Sequence, residues 1–200
     1  MVGIVPYCTP FAGSHPVERQ PETITEPVVD VARRILAARA VEVEHYSRLY
    51  PLLLAEMDEI MSDWDRSTDA LPWSMLEKSE RQNDLASVIT RVIDCAMSAA
   101  PRAQRVDAMI TAACRHGAFR RKQNVDVHSI FREYDVVRSA TWRQLKTLVD
   151  GPTSYDAIFV IDGLLSVATR GTILGYHRSE MEANGLWSKH LEELKKTVRS

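Results

Sequence analysis

Glycine is absent from the chain between Gly13 and Gly117. Along this stretch, apolar residues recur at spacings of three and four, which is the periodicity of a helix with one buried face. A clear example is the set Leu53, Met57, Ile60 and Trp64. No segment alternates apolar and polar residues between turn signals, as a half-buried strand does. The sequence therefore predicts an all-α fold.

Prolines and glycines divide the periodic sequence into six main predicted helices. The first begins at Pro27, a favourable first-turn residue, and Pro51 is expected to break or kink it. The other five are predicted at about 52–64, 73–99, 101–123, 126–150 and 154–183. Long helices with short connections favour antiparallel neighbours. We therefore expect an antiparallel helical bundle of about five or six main helices.

Polar and small residues mark the ends of these helices and one predicted contact. Asp126 is the predicted N-cap of the fifth helix, and Gly185 is the predicted stop after the sixth. The sixth helix contains Gly163, Gly171 and Gly175, each of which costs about 1 kcal/mol relative to alanine in an exposed helix. Gly171 and Gly175 share a face. This face predicts a close approach of another backbone, either within the bundle or across a dimer interface.

The composition is that of a single-domain protein. Its 200 residues are enough for one full-sized hydrophobic core. Prolines are concentrated near the N-terminus, so we predict a flexible, disordered N-terminal arm over 1–26. The helical bundle domain is predicted over 27–185. Residues 186–200 are predicted as a C-terminal amphipathic tail, with a short helix over 187–198.

Charge and cysteine content limit the classes of partner. The formal net charge of −2 gives no general attraction to nucleic acid or to an anionic membrane. A basic run over 115–122 could contact phosphate, but basic residues in the last turns of a helix also complement the helix dipole, and this second interpretation is favoured. The three cysteines are widely separated, which is typical of a reducing compartment. Without a recognisable membrane span or signal peptide, we expect a cytoplasmic protein with no membrane or nucleic-acid partner.

A motif in the fourth and fifth predicted helices is more specific. It consists of His116-Gly117, Arg120, Gln123, Ile130, Glu133-Tyr134 and Arg138. Its order and spacing resemble those of the RsbT co-antagonist RsbRD N-terminal domain family, which are helical input domains of bacterial stress-signalling proteins and some histidine kinases. The resemblance covers about 52–187 and includes Arg81, Asp84-Leu85, Val88-Ile89, Ile161-Asp162 and Tyr176-His177-Arg178. It implies a signal-input or regulatory domain that acts by contact with another signalling protein, and we expect a homodimer.

Five residues of this motif form the candidate regulatory or ligand-contact cluster: His116, Arg120, Glu133, Tyr134 and Arg138. His116 and Arg120 lie one helical turn apart and face the same way. An ion pair between Arg120 and Glu133 of the following helix is therefore expected. Such a pair could form a polar site that a ligand or partner biases, or it could only fix the packing of two helices.

Two other classes of function remain as alternatives. A haem- or ligand-binding sensor could use His116, His128 or His177 as an axial ligand. A di-metal helical enzyme would need two E-x-x-H pairs, whereas the chain offers Glu42 with His45 and one pair in reversed order. No nucleophile motif, P-loop or dinucleotide fingerprint occurs. The sequence therefore favours a non-enzymatic protein without a cofactor, and it leaves a small ligand open.

Overall fold

The structure is a computed structural model that describes residues 43–67, 76–82, 84–148 and 152–199. All regular structure in these ranges is helical, and they contain no strand. The helices are α1 (Val43–Ala55), α2 (Met57–Ser67), α3 (Lys78–Gln82), α4 (Leu85–Met97), α5 (Arg102–Lys122), α6 (Val127–Leu148), α7 (Pro152–Tyr176), α8 (Arg178–Ala183) and α9 (Trp187–Arg199). The predicted all-α bundle is confirmed. The predicted arm over 1–26 and the predicted helix start at Pro27 lie outside the described residues.

Helix α7 lies at the centre of the bundle and packs against α4, α5, α6 and α9. Tyr134 of α6 contacts Thr172, and Arg138 further along α6 contacts Asp162, so α6 and α7 run antiparallel. The predicted apolar faces are buried. They include Leu85, Val88, Ile89, Val92 and Ile93 of α4, and Ile158, Ile161, Leu165, Ala168 and Thr172 of α7. Burial of these faces is the main source of stability in a bundle of this kind.

The predicted break at Pro51 is wrong, because α1 continues through this proline to Ala55. A proline removes one backbone hydrogen bond from a helix. Here Leu49 and Leu53, on either side of it, are buried in the core and hold the helix in place. The helix is interrupted instead at Glu56. There the N–H of Glu56 donates to the carbonyl of Leu52, and the N–H of Ile60 donates to the carbonyl of Glu56, so that α2 follows directly.

Two predicted single helices are each divided into two. The helix predicted over 73–99 is α3 and α4 where the structure describes it, with a turn at Asp84. The helix predicted over 154–183 is α7 and α8, with a turn at His177. Neither turn contains a glycine or proline, so the local sequence gives no signal for it. Arg115 of α5 pairs with Asp84 at the first turn at 2.7 Å, and Arg121 of α5 pairs with Glu180, three residues after the second turn, at 3.1 Å.

Specific backbone motifs end α5 and α8. Asn124 follows α5 with a φ of 57°, and Val125 N–H donates to the carbonyl of Arg120. Gly185 follows α8 with a φ of 67°, and Leu186 N–H donates to the carbonyl of Met181 at 2.8 Å. Both arrangements are Schellman motifs, in which a left-handed residue turns the chain out of the helix. The predicted stop at Gly185 is confirmed.

Asp126 caps α6, as the sequence predicts. Its Oδ1 accepts a hydrogen bond from the backbone N–H of Ser129 at 3.0 Å, and its Oδ2 accepts one from the Ser129 hydroxyl at 2.6 Å. These bonds satisfy an otherwise unpaired N–H group of the first turn. They also hold the pKa of Asp126 below its ordinary value, the bond from the Ser129 hydroxyl being the main cause.

Replacing Asp126 by alanine is therefore expected to lower the free energy of unfolding by about 1 kcal/mol. Because the folded pKa of Asp126 lies below the unfolded one, its contribution is present above the unfolded pKa and is lost as pH falls through the folded pKa. Urea unfolding at neutral and acid pH measures both effects. Asp126→Asn is the control, since it keeps the cap without the titration. Equal stability of the alanine and parent proteins at neutral pH would contradict the capping role.

Glycines bring the backbones of α5 and α7 into direct contact. A Cβ atom on Gly175 would lie 2.0 Å from the carbonyl oxygen of Cys114, and one on Gly117 would lie 1.8 Å from the carbonyl oxygen of Thr172. A Cβ on Gly171 would lie 3.0 Å from Cβ of Ala113. The face shared by Gly171 and Gly175 thus packs inside the bundle, which confirms the first of the two contacts that the sequence allows. The homodimer stays a prediction.

The predicted C-terminal helix is observed as α9, and it packs against α5 and α7. Val198 is buried, and its carbonyl oxygen accepts a hydrogen bond of 2.7 Å from Arg102. Lys195 pairs with Asp107 of α5 at 3.5 Å. Residues 187–199 are therefore attached to the bundle along most of their length.

Among the described helices, α7 contains one segment, Tyr155–Tyr176, that is long and apolar enough to cross a membrane. However, 67% of its apolar window is buried within the bundle. A core helix of a globular protein passes the same test of length and composition. The cytoplasmic location stays a prediction.

Candidate functional site

Three of the five candidate residues meet between α5 and α6. His116 and Arg120 project from α5, and Glu133 projects from α6 to meet both. Arg120 Nε donates to Glu133 Oε2 at 3.2 Å, and a second nitrogen of the guanidinium donates to Oε1. His116 Nε2 lies 3.1 Å from Glu133 Oε2. All three side chains are at most 1% exposed. The predicted ion pair between Arg120 and Glu133 is present in the structure.

The same guanidinium also binds the end of α3. Its NH2 group donates to the carbonyl oxygen of Arg81 at 2.7 Å, and NH1 donates to the side-chain oxygen of Gln123 at 2.7 Å. The amide nitrogen of Gln123 in turn donates to the carbonyl oxygen of Glu80 at 3.1 Å. We call His116, Arg120, Gln123 and Glu133 the Glu133 cluster. The contact with α3 is not predictable from the motif, because every residue has a backbone carbonyl.

One nitrogen of the cluster has no partner. Glu133 is ionised at neutral pH and can only accept, so His116 Nε2 donates to it. His116 Nδ1 is buried and makes no hydrogen bond within the described part of the chain. A buried polar atom left unpaired costs about 1–3 kcal/mol. The cluster therefore carries an energetic cost that an apolar core would not have.

The ionisation of Glu133 depends on its two neighbours. Complete burial acts to raise the pKa of Glu133, but the charges and hydrogen bonds of His116 and Arg120 outweigh burial and hold the pKa below its ordinary value. Because the folded pKa lies below the unfolded one, the stability that this carboxylate contributes is lost as pH falls through the folded pKa. Desolvation offsets much of the attraction in such a pair, so its surer effect is on conformational specificity.

Tyr134 lies next to Glu133 in sequence but outside the cluster. Its hydroxyl shares a hydrogen bond of 2.6 Å with the hydroxyl of Thr172 on α7. The side chain is 1% exposed, and burial raises the pKa of its phenol above the ordinary value. In this structure Tyr134 joins α6 to α7 through this hydrogen bond.

Arg138 also lies apart from the cluster, further along α6. It donates to Asp162 at 2.6 Å and to the hydroxyl of Ser166 at 2.9 Å, both on α7. A third bond, of 2.9 Å, goes to Asp135 on its own helix. Its side chain is 22% exposed. The motif thus contributes to two separate polar contacts, one between α5 and α6 and the other between α6 and α7.

The described residues considered for metal, haem or nucleophilic chemistry do not form a metal-binding group. Nowhere in the described ranges do three or more His, Cys, Asp or Glu side chains form a group suited to a metal ion. Glu42 lies outside those ranges, and His177 Nδ1 is hydrogen-bonded to Glu180 at 2.6 Å. Cys95 and Cys114 are buried, and burial raises the pKa of each thiol to about 11. Neither thiol is therefore a reactive thiolate at neutral pH.

The basic run over 115–122 is largely neutralised by acidic partners. Arg115 pairs with Asp84, Arg120 with Glu133, and Arg121 with Glu180. Arg121 also lies over the ring of Tyr176, with 5.0 Å between the guanidinium carbon and the ring centroid. These contacts favour the structural interpretation of the run over a phosphate-binding one.

Comparisons with known proteins add no relative to this picture. No protein-family model, curated protein or solved structure matches the chain. The resemblance to the RsbRD N-terminal domain family therefore rests on the motif residues alone and stays a prediction. The position of those residues is nonetheless informative, because the motif supplies every charged side chain of the Glu133 cluster.

Proposed function

We propose that this protein is a non-enzymatic signal-input domain of a bacterial signalling pathway, which acts by protein–protein contact as a homodimer. The observation that carries the proposal is the complete burial of the Glu133 cluster between α3, α5 and α6. Arg120 and Glu133 are 0% exposed, and His116 is 1% exposed. The resemblance of the motif to stress-signalling input domains supports the class of pathway.

Burial argues for regulation rather than catalysis at this site. A catalytic acid, base or nucleophile must come within hydrogen-bond reach of a substrate. Within the described residues, the hydrogen bonds and ion pairs of His116, Arg120 and Glu133 go to one another, to Gln123 and to the carbonyl of Arg81. A buried ion pair adds more to the choice of one helix arrangement than to stability. A partner that changes this arrangement could therefore shift the domain between two states.

A small ligand is a second candidate, and one observation favours it. The unpaired Nδ1 of His116 could bond to a small polar molecule that enters the cluster, which would remove the cost of leaving this atom unsatisfied. Haem has less support at this histidine, because Nε2, the second nitrogen of its ring, already contacts Glu133. In this ligand version of the proposal, the Glu133 cluster is the site at which the small molecule is sensed.

Native mass spectrometry of freshly purified protein tests the proposal, since one spectrum reports both the oligomer and any bound small molecule. We expect a dimer without added mass. Glu133→Gln is the informative variant, because it keeps the shape of the side chain and removes its charge. It is expected to change the dimer fraction or the dimer conformation, measured by ion mobility. Glu192→Gln, on the exposed face of α9, is the matched control.

Other outcomes would change the conclusion. A reproducible added mass of a small molecule that is lost in Glu133→Gln would replace the protein-contact version with the ligand version. Stoichiometric metal or haem would overturn both versions. A monomer with no added mass, in which Glu133→Gln changes nothing, would also contradict the proposal.

A further inference from the structure

Helix α3 is attached to the bundle differently from its neighbours. It has five residues, and none of them is buried. Its side chains form two ion pairs with Asp65 of α2: Arg81 at 3.2 Å and Lys78 at 3.9 Å. Leu76, just before the helix, is a partly buried apolar contact with the core. Among the described residues, α3 is thus attached mainly by polar contacts, of which the Arg81–Asp65 pair is 15% and 18% exposed and the Lys78 side chain is 66% exposed.

The C-terminal end of α3 nevertheless lies on the Glu133 cluster. The last carbonyls of a helix have no partner within it. Two of these carbonyls, those of Glu80 and Arg81, accept from Gln123 and Arg120. The same terminal nitrogen of Arg120 bonds to Arg81 on one side and to Glu133 on the other. Helix α3 therefore covers the guanidinium of Arg120, which is 0% exposed.

We propose that α3 is a strap over the Glu133 cluster, and that it detaches as a unit to uncover Arg120 and Glu133 while the rest of the bundle stays folded. Segments with little buried apolar area open at a lower free energy than the core. Release leaves Arg120 and Gln123 with free donors for carbonyl or carboxylate oxygens of a partner protein. This inference rests on the proposed function, because it identifies the movement that would switch the domain.

Chemical modification of Arg120 in the full-length protein measures the release of α3. Phenylglyoxal reacts with exposed guanidinium groups, and peptide mass spectrometry gives the rate at each arginine. Arg121, which is 54% exposed, is the internal reference. Arg81→Ala removes the ion pair with Asp65 but keeps the carbonyl over Arg120. We expect it to speed modification of Arg120 about fivefold relative to Arg121, the effect of one weak polar contact.

Arg178→Ala is the matched control, because Arg178 forms an exposed ion pair with Glu182 within α8 and lies over the ring of Trp187. It should leave the rate at Arg120 unchanged. Hydrogen exchange provides a second measurement. We expect the backbone amides of α3 to exchange at least about tenfold faster than those of α5. If Arg81→Ala does not fold, Gln123→Ala is the second variant. It removes the hydrogen bond from Gln123 to the carbonyl of Glu80 and so weakens the attachment of α3 at a different contact.

Two results would overturn the strap. One is exchange of α3 at the same rate as α5, which would mean that α3 opens only when the whole protein unfolds. The other is modification of Arg120 that follows global unfolding in every variant. Neither result affects the measurements of the dimer or of a bound ligand. The strap proposal can therefore be wrong while the proposed function still holds. Conversely, a monomer unaffected by Glu133→Gln, together with fast α3 exchange, would remove the function and keep the strap.

Discussion

Replacing Glu133 by alanine is expected to lower the free energy of unfolding by about 3–5 kcal/mol, which is a large part of the stability of an ordinary domain. The substitution leaves Arg120 as a buried charge whose remaining acceptors are neutral oxygens of Gln123 and Arg81. It also removes the carboxylate that His116 Nε2 contacts in the described part of the chain. Most of the lost stability therefore comes from burying Arg120 and His116 without their carboxylate partner, and less comes from the lost attraction itself.

Urea unfolding followed by circular dichroism measures this loss. Glu180→Ala is the control: Glu180 also pairs with one arginine and one histidine, Arg121 and His177, but its side chain is 55% exposed. Little change is expected there. Replacing His116, Arg120 and Glu133 together by apolar residues of similar volume should restore much of the stability. If Glu133→Ala and Glu180→Ala cost the same, the cluster is not sealed from water as described.

Gly175→Ala is expected to cost at least about 3 kcal/mol or to prevent folding, because the new Cβ would lie 2.0 Å from a backbone oxygen. Backbone cannot move aside as a flexible side chain can. Gly117→Ala meets the same obstacle from the opposite helix, with 1.8 Å to the carbonyl oxygen of Thr172. Thermal unfolding by circular dichroism measures both variants.

Two other glycines provide graded controls for this experiment. Gly171→Ala places a Cβ 3.0 Å from Cβ of Ala113, and the better helix propensity of alanine offsets part of that strain, so a change within about 1 kcal/mol is expected. Gly185→Ala has open space around it, but a φ of 67° costs about 1–2 kcal/mol for a residue with a Cβ. If Gly175→Ala were as stable as Gly171→Ala, the backbones of α5 and α7 would not be in contact.

The sequence predicted those parts of the fold that depend on local periodicity and end signals. The buried faces of α4 and α7, the Asp126 cap and the stop at Gly185 all follow from residues close in sequence. The turns at Asp84 and His177 were missed because neither turn contains a glycine or proline that would mark it. The break predicted as one of the two effects of Pro51 does not occur, since the helix continues past the proline between the buried Leu49 and Leu53.

The sequence also predicted one part of the candidate site and missed another. Helical spacing correctly brought His116 and Arg120 to one face and paired Arg120 with Glu133. The motif alone could not show that Tyr134 and Arg138 turn toward α7, since this depends on the rotation of α6 in the bundle. The role of α3 was also out of reach, because the cluster binds its backbone.

The glycine contact also limits how this domain can move. Sliding α7 along α5 by one turn in one direction would bring Val167 to the position of Gly171, against Ala113. At the position of Gly175, a Cβ atom would lie 2.0 Å from the carbonyl oxygen of Cys114. We therefore expect α5 and α7 to move together as one unit. Under the proposed function, the release of α3 would then take place against a fixed pair of helices.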